Sequence, residues 1–168
     1  MEQKIIIDRY VSPLGDILIG DYQGQLCLCD WAESPHRAAV DRRIRQRLDV
    51  EMEEGKTKLT DRAAQELAEY FSQQRKVFDL PIMFCGTYFQ CEVWDYLLSI
   101  PWGERINYGA LARGIRRPRA TRAVASAVGA NAMAVIVPCH RVVPTSGDCG
   151  EYSGGRDVKR RLLELERP

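Results

Sequence analysis

Cys139 and His140 stand side by side in the run Pro138-Cys139-His140-Arg141-Val142, and a thiol beside an imidazole is a pairing used in nucleophilic chemistry. A free thiol, with a pKa near 8.5, is only about 3% thiolate at pH 7, so an effective nucleophile needs help. An adjacent imidazole and nearby guanidinium groups can supply it by taking the proton or stabilising the anion. Two reactions fit. A Cys–His hydrolase draws its histidine from elsewhere in the chain, because consecutive side chains rarely place imidazole nitrogen on the neighbouring sulfur. The second histidine, His36, lies in the charged first half, so this reading is weak. Direct attack by sulfur, with His140 coupled through a water, needs no second histidine. A third reading has no chemistry at all, since a buried cysteine is usually just a small apolar residue.

The elements that must position this pair change character along the chain. Residues 1–30 alternate like strands: Ile5 and Ile7, then Ile17-Leu18-Ile19, then Leu26-Cys27-Leu28-Cys29. The turns Ser12-Pro13-Leu14-Gly15 and Gln23-Gly24 separate them, which predicts a short antiparallel meander. Cys27 and Cys29, two apart, share one sheet face. Ser34-Pro35 reads as a helix start, with Val40, Ile44 and Leu48 as its stripe. Thr60-Asp61 opens a second helix with Ala64, Leu67 and Phe71 inward. Leu80-Pro81 to Cys85-Gly86 is a linker or crossover.

Beyond the linker the pattern is helical. Thr87-x-x-Gln90 is a capping box ahead of Val93, Trp94, Leu97 and Leu98. Asn107 caps a short helix ended by Gly114. Pro118 starts another, Arg119 to Val128, lined by Ala120, Ala123, Val124 and Ala127. Two short helices around a tight turn suit a helix-turn-helix, whose second member carries Arg119 and Arg122, with Arg116 and Arg117 just ahead of it. Met133 to Val137 reads as an apolar strand that delivers Cys139. Asp157 caps a last helix with Val158, Leu162 and Leu163 inward.

Charge follows the same division. Residues 1–85 carry 12 Lys and Arg against 15 Asp and Glu, whereas residues 86–168 carry 12 against 8. A basic second half suits a polyanionic partner, although uneven scatter of surface charge gives the same count. The start, MEQKIIIDRY, is no signal peptide, and no stretch approaches the roughly 18 apolar residues of a membrane span. A cytoplasmic chain that makes no use of the membrane is expected. Six cysteines are too sparse for a disulfide scaffold, so reduced thiols are expected. Cys27, Cys29 and His36 form no strong ligand pattern, and neither a metal nor a cofactor is expected.

The segment Pro138–Val142 resembles the signature of the methylated-DNA–protein-cysteine methyltransferases, the O6-alkylguanine-DNA alkyltransferases. So do Thr87-x-Phe89-Gln90, Ile100-Pro101-Trp102-Gly103-Glu104, Tyr108-Gly109, Arg122-Ala123-Val124, Asn131 and Tyr152-Ser153-Gly154-Gly155. The matched order covers residues 86–166; the first half matches only in general character. The resemblance implies an α+β fold: a small N-terminal α/β domain with an antiparallel sheet (1–85), then a mainly helical domain of winged-helix/helix-turn-helix type (86–168).

It also implies irreversible transfer of an alkyl group from O6-alkylguanine in double-stranded DNA to Cys139, by a monomer, once per molecule. Whether O4-alkylthymine is also a substrate is left open by the resemblance. His140 acts through a water as base, Glu166 orients the imidazole, and Tyr108 donates to the departing base. Ser153 contacts O6, the backbone around Val142 reads the guanine edge, and Asn131 pins the turn before the nucleophile. Arg122 fills the space left by the flipped nucleotide. Arg119, Ala123 and Tyr152 complete the surface facing DNA and substrate, and Ala120, Ala123 and Ala127 permit close approach. Ala132 and Ala134 depart from the pattern, standing where family members often carry proline.

Two binding proteins compete with this reading. A lesion-sensing relative without transfer lacks the nucleophile, and Cys139 argues against it. A helix-turn-helix regulator explains the basic helix but leaves Pro138–Val142 and Tyr152–Gly155 without a purpose.

Overall fold

Apolar alternation and two tight turns fold the start of the chain into β1 (Lys4–Ser12), β2 (Gly15–Tyr22) and β3 (Gln25–Trp31), each antiparallel to the next. The computed structural model describes residues 3–167, and its chain falls into two units that divide between Cys85 and Gly86. A fourth strand, β4 (Glu51–Glu54), runs parallel to β1 and gives the order β3-β2-β1-β4. Nothing in its sequence, Glu-Met-Glu-Glu, marks a strand; an exposed edge needs backbone pairing and tolerates charge.

On β3 both faces are covered, so Leu26 and Leu28 are as buried as Cys27 and Cys29. Burial pushes the Cys27 thiol up to about 12 and Cys29 further still. These are apolar core residues, not nucleophiles.

Helix α1 (Arg37–Leu48) begins later than Ser34-Pro35 suggests. The Ser34 hydroxyl accepts from the His36 N–H and so closes a turn ahead of the helix instead of capping it. Helix α2 (Lys58–Phe71) begins earlier, at a capping box between Thr57 and Thr60. Its buried face is Ala63, Leu67 and Tyr70, one turn apart; Ala64 and Phe71 are only half-buried.

In the second unit, Thr87 and Gln90 cap α3 (Tyr88–Leu97) as the sequence predicts. Val93, Trp94 and Leu97 are buried, while Leu98 lies past the helix end and is exposed. Asn107 caps α4 (Tyr108–Gly114), and α5 (Thr121–Gly129) packs on both α3 and α4. The turn between α4 and α5 is longer than expected, because Arg116 adopts a left-handed φ of 63° and Ala120 bonds back to Arg117. Arg119 therefore lies ahead of the helix, not in it.

The buried face of α5 is Val124, Ala127 and Val128; Ala123 is exposed. Ala127 cannot serve close approach from outside, since it is buried and its carbonyl accepts from the Trp94 indole N–H at 2.8 Å.

The last helix, α6 (Arg156–Leu165), starts from Gly155, and Asp157 sits in its first turn paired with Arg160 instead of capping it. Its buried face is Lys159, Leu162 and Leu163, with Val158 only half-buried. No helix among the described residues is long and apolar enough to cross a membrane.

Candidate active site

The apolar run before Cys139 is not a strand. Asn131, itself buried, folds it into a turn by bonding both ends: its side-chain oxygen accepts from Met133 N–H at 3.0 Å, and its Nδ2 donates to Val137 O at 3.1 Å. Met133 and Val137 are joined directly by a backbone bond of 2.8 Å. At the apex Val135 takes φ = 70°, a left-handed conformation that a β-branched residue adopts only under constraint. An apolar run mimics a strand in pattern because core turns are apolar too. The result delivers Cys139 at the first position of a single 3-10 turn, Cys139–Arg141.

Every side chain of that turn is buried, His140 completely. Such burial of a histidine and an arginine demands partners, and the carboxylate of Glu166, 1% exposed at the end of α6, serves both. His140 Nε2 lies 2.8 Å from Glu166 Oε2. Arg141 donates Nε–H to Oε1 at 2.8 Å and Nη2–H to Oε2 at 2.9 Å, a two-pronged clamp. Its Nη1 donates to the Ile100 carbonyl.

These contacts set the protonation states. Burial would raise the Glu166 carboxyl, but the hydrogen bonds from His140 and Arg141 outweigh it and hold the group well below the usual carboxylate range. Burial pushes the His140 imidazole below its ordinary value, against the pull of Glu166. With Arg141 already balancing Glu166, the imidazole stays neutral, its proton on Nε2 facing Glu166. Nδ1 is then a lone pair, and it is buried with no hydrogen-bond partner among the described residues. That is a base without a proton to hold.

Around this centre the other expected residues fall at different distances. Tyr108 is half-buried at the start of α4, and its phenol is pushed above the ordinary value by burial first and then by the charges of Cys139 and Glu151. Tyr152 stands edge-on to His140, ring centroids 6.5 Å apart. Ser153 follows it in the chain and is half-buried. The backbone of Val142 is already engaged: its N–H bonds Cys139 O, and its carbonyl accepts from the Lys159 ammonium at 2.7 Å. Only a second carbonyl lone pair is left there for a ligand.

Arg119 and Arg122 are exposed, as is Ala123, and neither arginine makes an ion pair among the described residues. Arg117 differs: it pairs with Glu92 at 2.8 Å and lies over the Phe89 ring, which ties the turn to α3.

Arg141 and Lys159 are two site residues that the sequence pattern does not single out. The signal for Lys159 is its spacing, three and four residues ahead of Leu162 and Leu163 and seven ahead of Glu166 on one helix face. For Arg141 it is only its place in the buried run that holds Cys139. No group of three or more His, Cys, Asp or Glu among the described residues could hold a metal ion.

Comparison with known proteins fits this geometry. Residues 88–168 match the family model described as 6-O-methylguanine DNA methyltransferase, DNA binding domain. A methylated-DNA–protein-cysteine methyltransferase of Methanosarcina barkeri is 37% identical over 159 residues, 95% of each chain. The inducible methyltransferase of that name from Bacillus subtilis is 42% identical over 104 residues, 62% of this chain and 58% of that relative. Among solved structures, Mycobacterium tuberculosis OGT in complex with DNA superposes with a TM-score of 0.82 at 35% identity, covering 96% of this chain and 92% of that one.

Removing the shared carboxylate leaves two buried partners uncompensated. Glu166→Ala is therefore predicted to lower the unfolding free energy by about 3–5 kcal/mol, read by urea denaturation. A loss under about 1 kcal/mol would contradict the central place given to this cluster.

Proposed function

The chain belongs to the methylated-DNA–protein-cysteine methyltransferases, and from that premise we propose that it repairs O6-alkylguanine in double-stranded DNA by moving the alkyl group onto Cys139. The observation that carries this reading is the buried Nδ1 of a neutral His140, without a hydrogen-bond partner among the described residues, on the residue that follows Cys139, with Glu166 fixing the other nitrogen. The Cys139 proton passes through a water to that lone pair. The sulfur lone pair then forms the S–C bond as the C–O6 bond breaks, and the electron pair leaves with the purine. Tyr108 offers a proton or hydrogen bond to the departing base, and Ser153 contacts O6. Asn131 acts only by holding the turn.

The product is a thioether, which lies off the path of thiol–disulfide exchange, so each molecule reacts once. No cofactor enters this sequence of steps, and a monomer suffices for it.

A base stacked in duplex DNA is out of reach of a buried thiol, so the nucleotide must leave the stack, at a cost of a few kcal/mol. Two exposed arginines suit this step, Arg119 just ahead of α5 by holding phosphate and Arg122 in its first turn by filling the space the base leaves. Ala123, exposed on the same turn, lets the duplex approach.

Cys139→Ala is predicted to abolish alkyl transfer while keeping DNA affinity within about threefold, roughly 0.65 kcal/mol. A parallel loss of binding, seen by fluorescence anisotropy, would sink that division of labour. Arg122→Ala should slow repair of duplex DNA at least about tenfold, one 1.36 kcal/mol increment, yet leave reaction with the free modified base unchanged. Equal slowing on both substrates would remove the flipping role.

A further inference from the structure

Two buried cations meet at the nucleophile turn, Arg141 within it and Lys159 from α6, and they differ in one respect. Arg141 is balanced by Glu166 through two hydrogen bonds. Lys159, 1% exposed on α6, is balanced by no carboxylate within ion-pair distance among the described residues. Its ammonium donates instead to two neutral carbonyls, Val142 O at 2.7 Å and Glu151 O at 3.2 Å. Burying an ammonium on carbonyl dipoles alone is costly, and a fold keeps such a charge where something else needs it.

We propose that Lys159 is a positioning residue for the reaction: its ammonium is the countercharge of the Cys139 thiolate and fastens the loop 143–155 over it. This rests on the alkyltransferase reading and deepens it. The geometry ties Lys159 both to the turn that begins with Cys139 and to the loop. Val142, whose carbonyl Lys159 holds, is the residue whose N–H closes the turn onto Cys139 O. Glu151 lies in the loop that carries Tyr152 and Ser153, so one ammonium links the nucleophile turn to the loop. Gly150 borders the same spot: a Cβ there would lie 3.5 Å from Lys159 Nζ, an ordinary contact, and would clash with Pro144.

Burial lowers the Lys159 ammonium's pKa, and Cys139 is the first of the charges that oppose this, ahead of Cys149, Glu151 and Asp148. The other titratable groups near Cys139 are Tyr108 of α4, whose phenol its charge helps to raise, His140 next in the chain, and Arg141, which is paired with Glu166. Of these groups, Lys159 alone offers Cys139 a cation not already matched.

The test uses the full chain and iodoacetamide, a neutral reagent that needs no DNA, with Cys139 modification followed by peptide mass mapping across pH. Lys159→Gln keeps a hydrogen-bond donor and removes the charge; Lys159→Arg keeps the charge. For Lys159→Gln the midpoint of the rate–pH curve should rise by about one pH unit or more. The rate at pH 7 then falls about tenfold, while the high-pH plateau stays within about twofold. Lys159→Arg should keep its midpoint within about half a unit of the native protein.

An unchanged midpoint in Lys159→Gln, or a uniform slowing at every pH, would overturn the proposal in favour of simple packing. Should both variants fail to fold, the native curve decides. A midpoint clearly below the ordinary thiol value of about 8.5 supports the countercharge, and one at or above it overturns it. Methyl transfer by the native protein, run alongside, separates the two claims. A shifted midpoint without transfer leaves the lysine–thiolate coupling standing and removes the alkyltransferase; transfer without a shifted midpoint does the reverse.

Discussion

A single carboxylate, that of Glu166, has to be buried, and much of the second unit answers to that requirement. A lone carboxylate in an apolar interior is untenable, so it must find donors that reach it from several directions. Arg141 clamps it from one side and His140 from another, and both come from the three-residue turn that begins with Cys139. The ion pair thus fixes the position of Cys139 indirectly. Turn, helix end and imidazole tautomer are set together, and the Cys139 sulfur is carried on that segment. That segment is approached through a strained turn, with Val135 in the left-handed region and Asn131 bonded at both of its ends.

Helix α6 supplies both charges that bracket the turn. Lys159 and Glu166 are seven residues apart, two helical turns and roughly 10 Å along one face, with Leu162 and Leu163 between them. The leucines bury the face and the charges address its two ends. Glu166 serves the imidazole and guanidinium, while Lys159 serves the Val142 carbonyl at the far end of the turn. Electrostatics on this helix is therefore divided between holding a neutral base and providing a positive field. By contrast Arg119 and Arg122, ahead of and within α5, are solvent-facing and make no ion pair among the described residues, as a surface that meets a polyanion requires.

Much of this is legible in the residues, and what is not has physical causes. The capping signals Thr87/Gln90 and Asn107 hold in the structure, because a side chain that bonds a helix N-terminus acts locally. So do the three antiparallel strands and the pairing of His140 with Glu166, the latter through family resemblance alone. Charged β4 is invisible in the sequence, since pairing with β1 and not its own pattern makes it a strand. Met133–Val137 imitates a strand, because a buried turn and a buried strand share an apolar composition; only the Asn131 bonds tell them apart. The sequence pattern puts Val158 inward where the structure puts Lys159, because a lysine is expected outside unless a partner is known. The partners, Val142 O and Glu151 O, are backbone atoms and carry no sequence signal.

The central claim is that Cys139 takes the alkyl group, once. The most direct measurement is the intact mass of the protein after incubation with excess duplex DNA containing one O6-methylguanine, followed by peptide mapping. Transfer to Cys139 predicts a gain of one methylene, saturating at one per protein and located on that residue. An unchanged mass with the lesion still tightly bound would contradict it and leave a protein that recognises damage without repairing it.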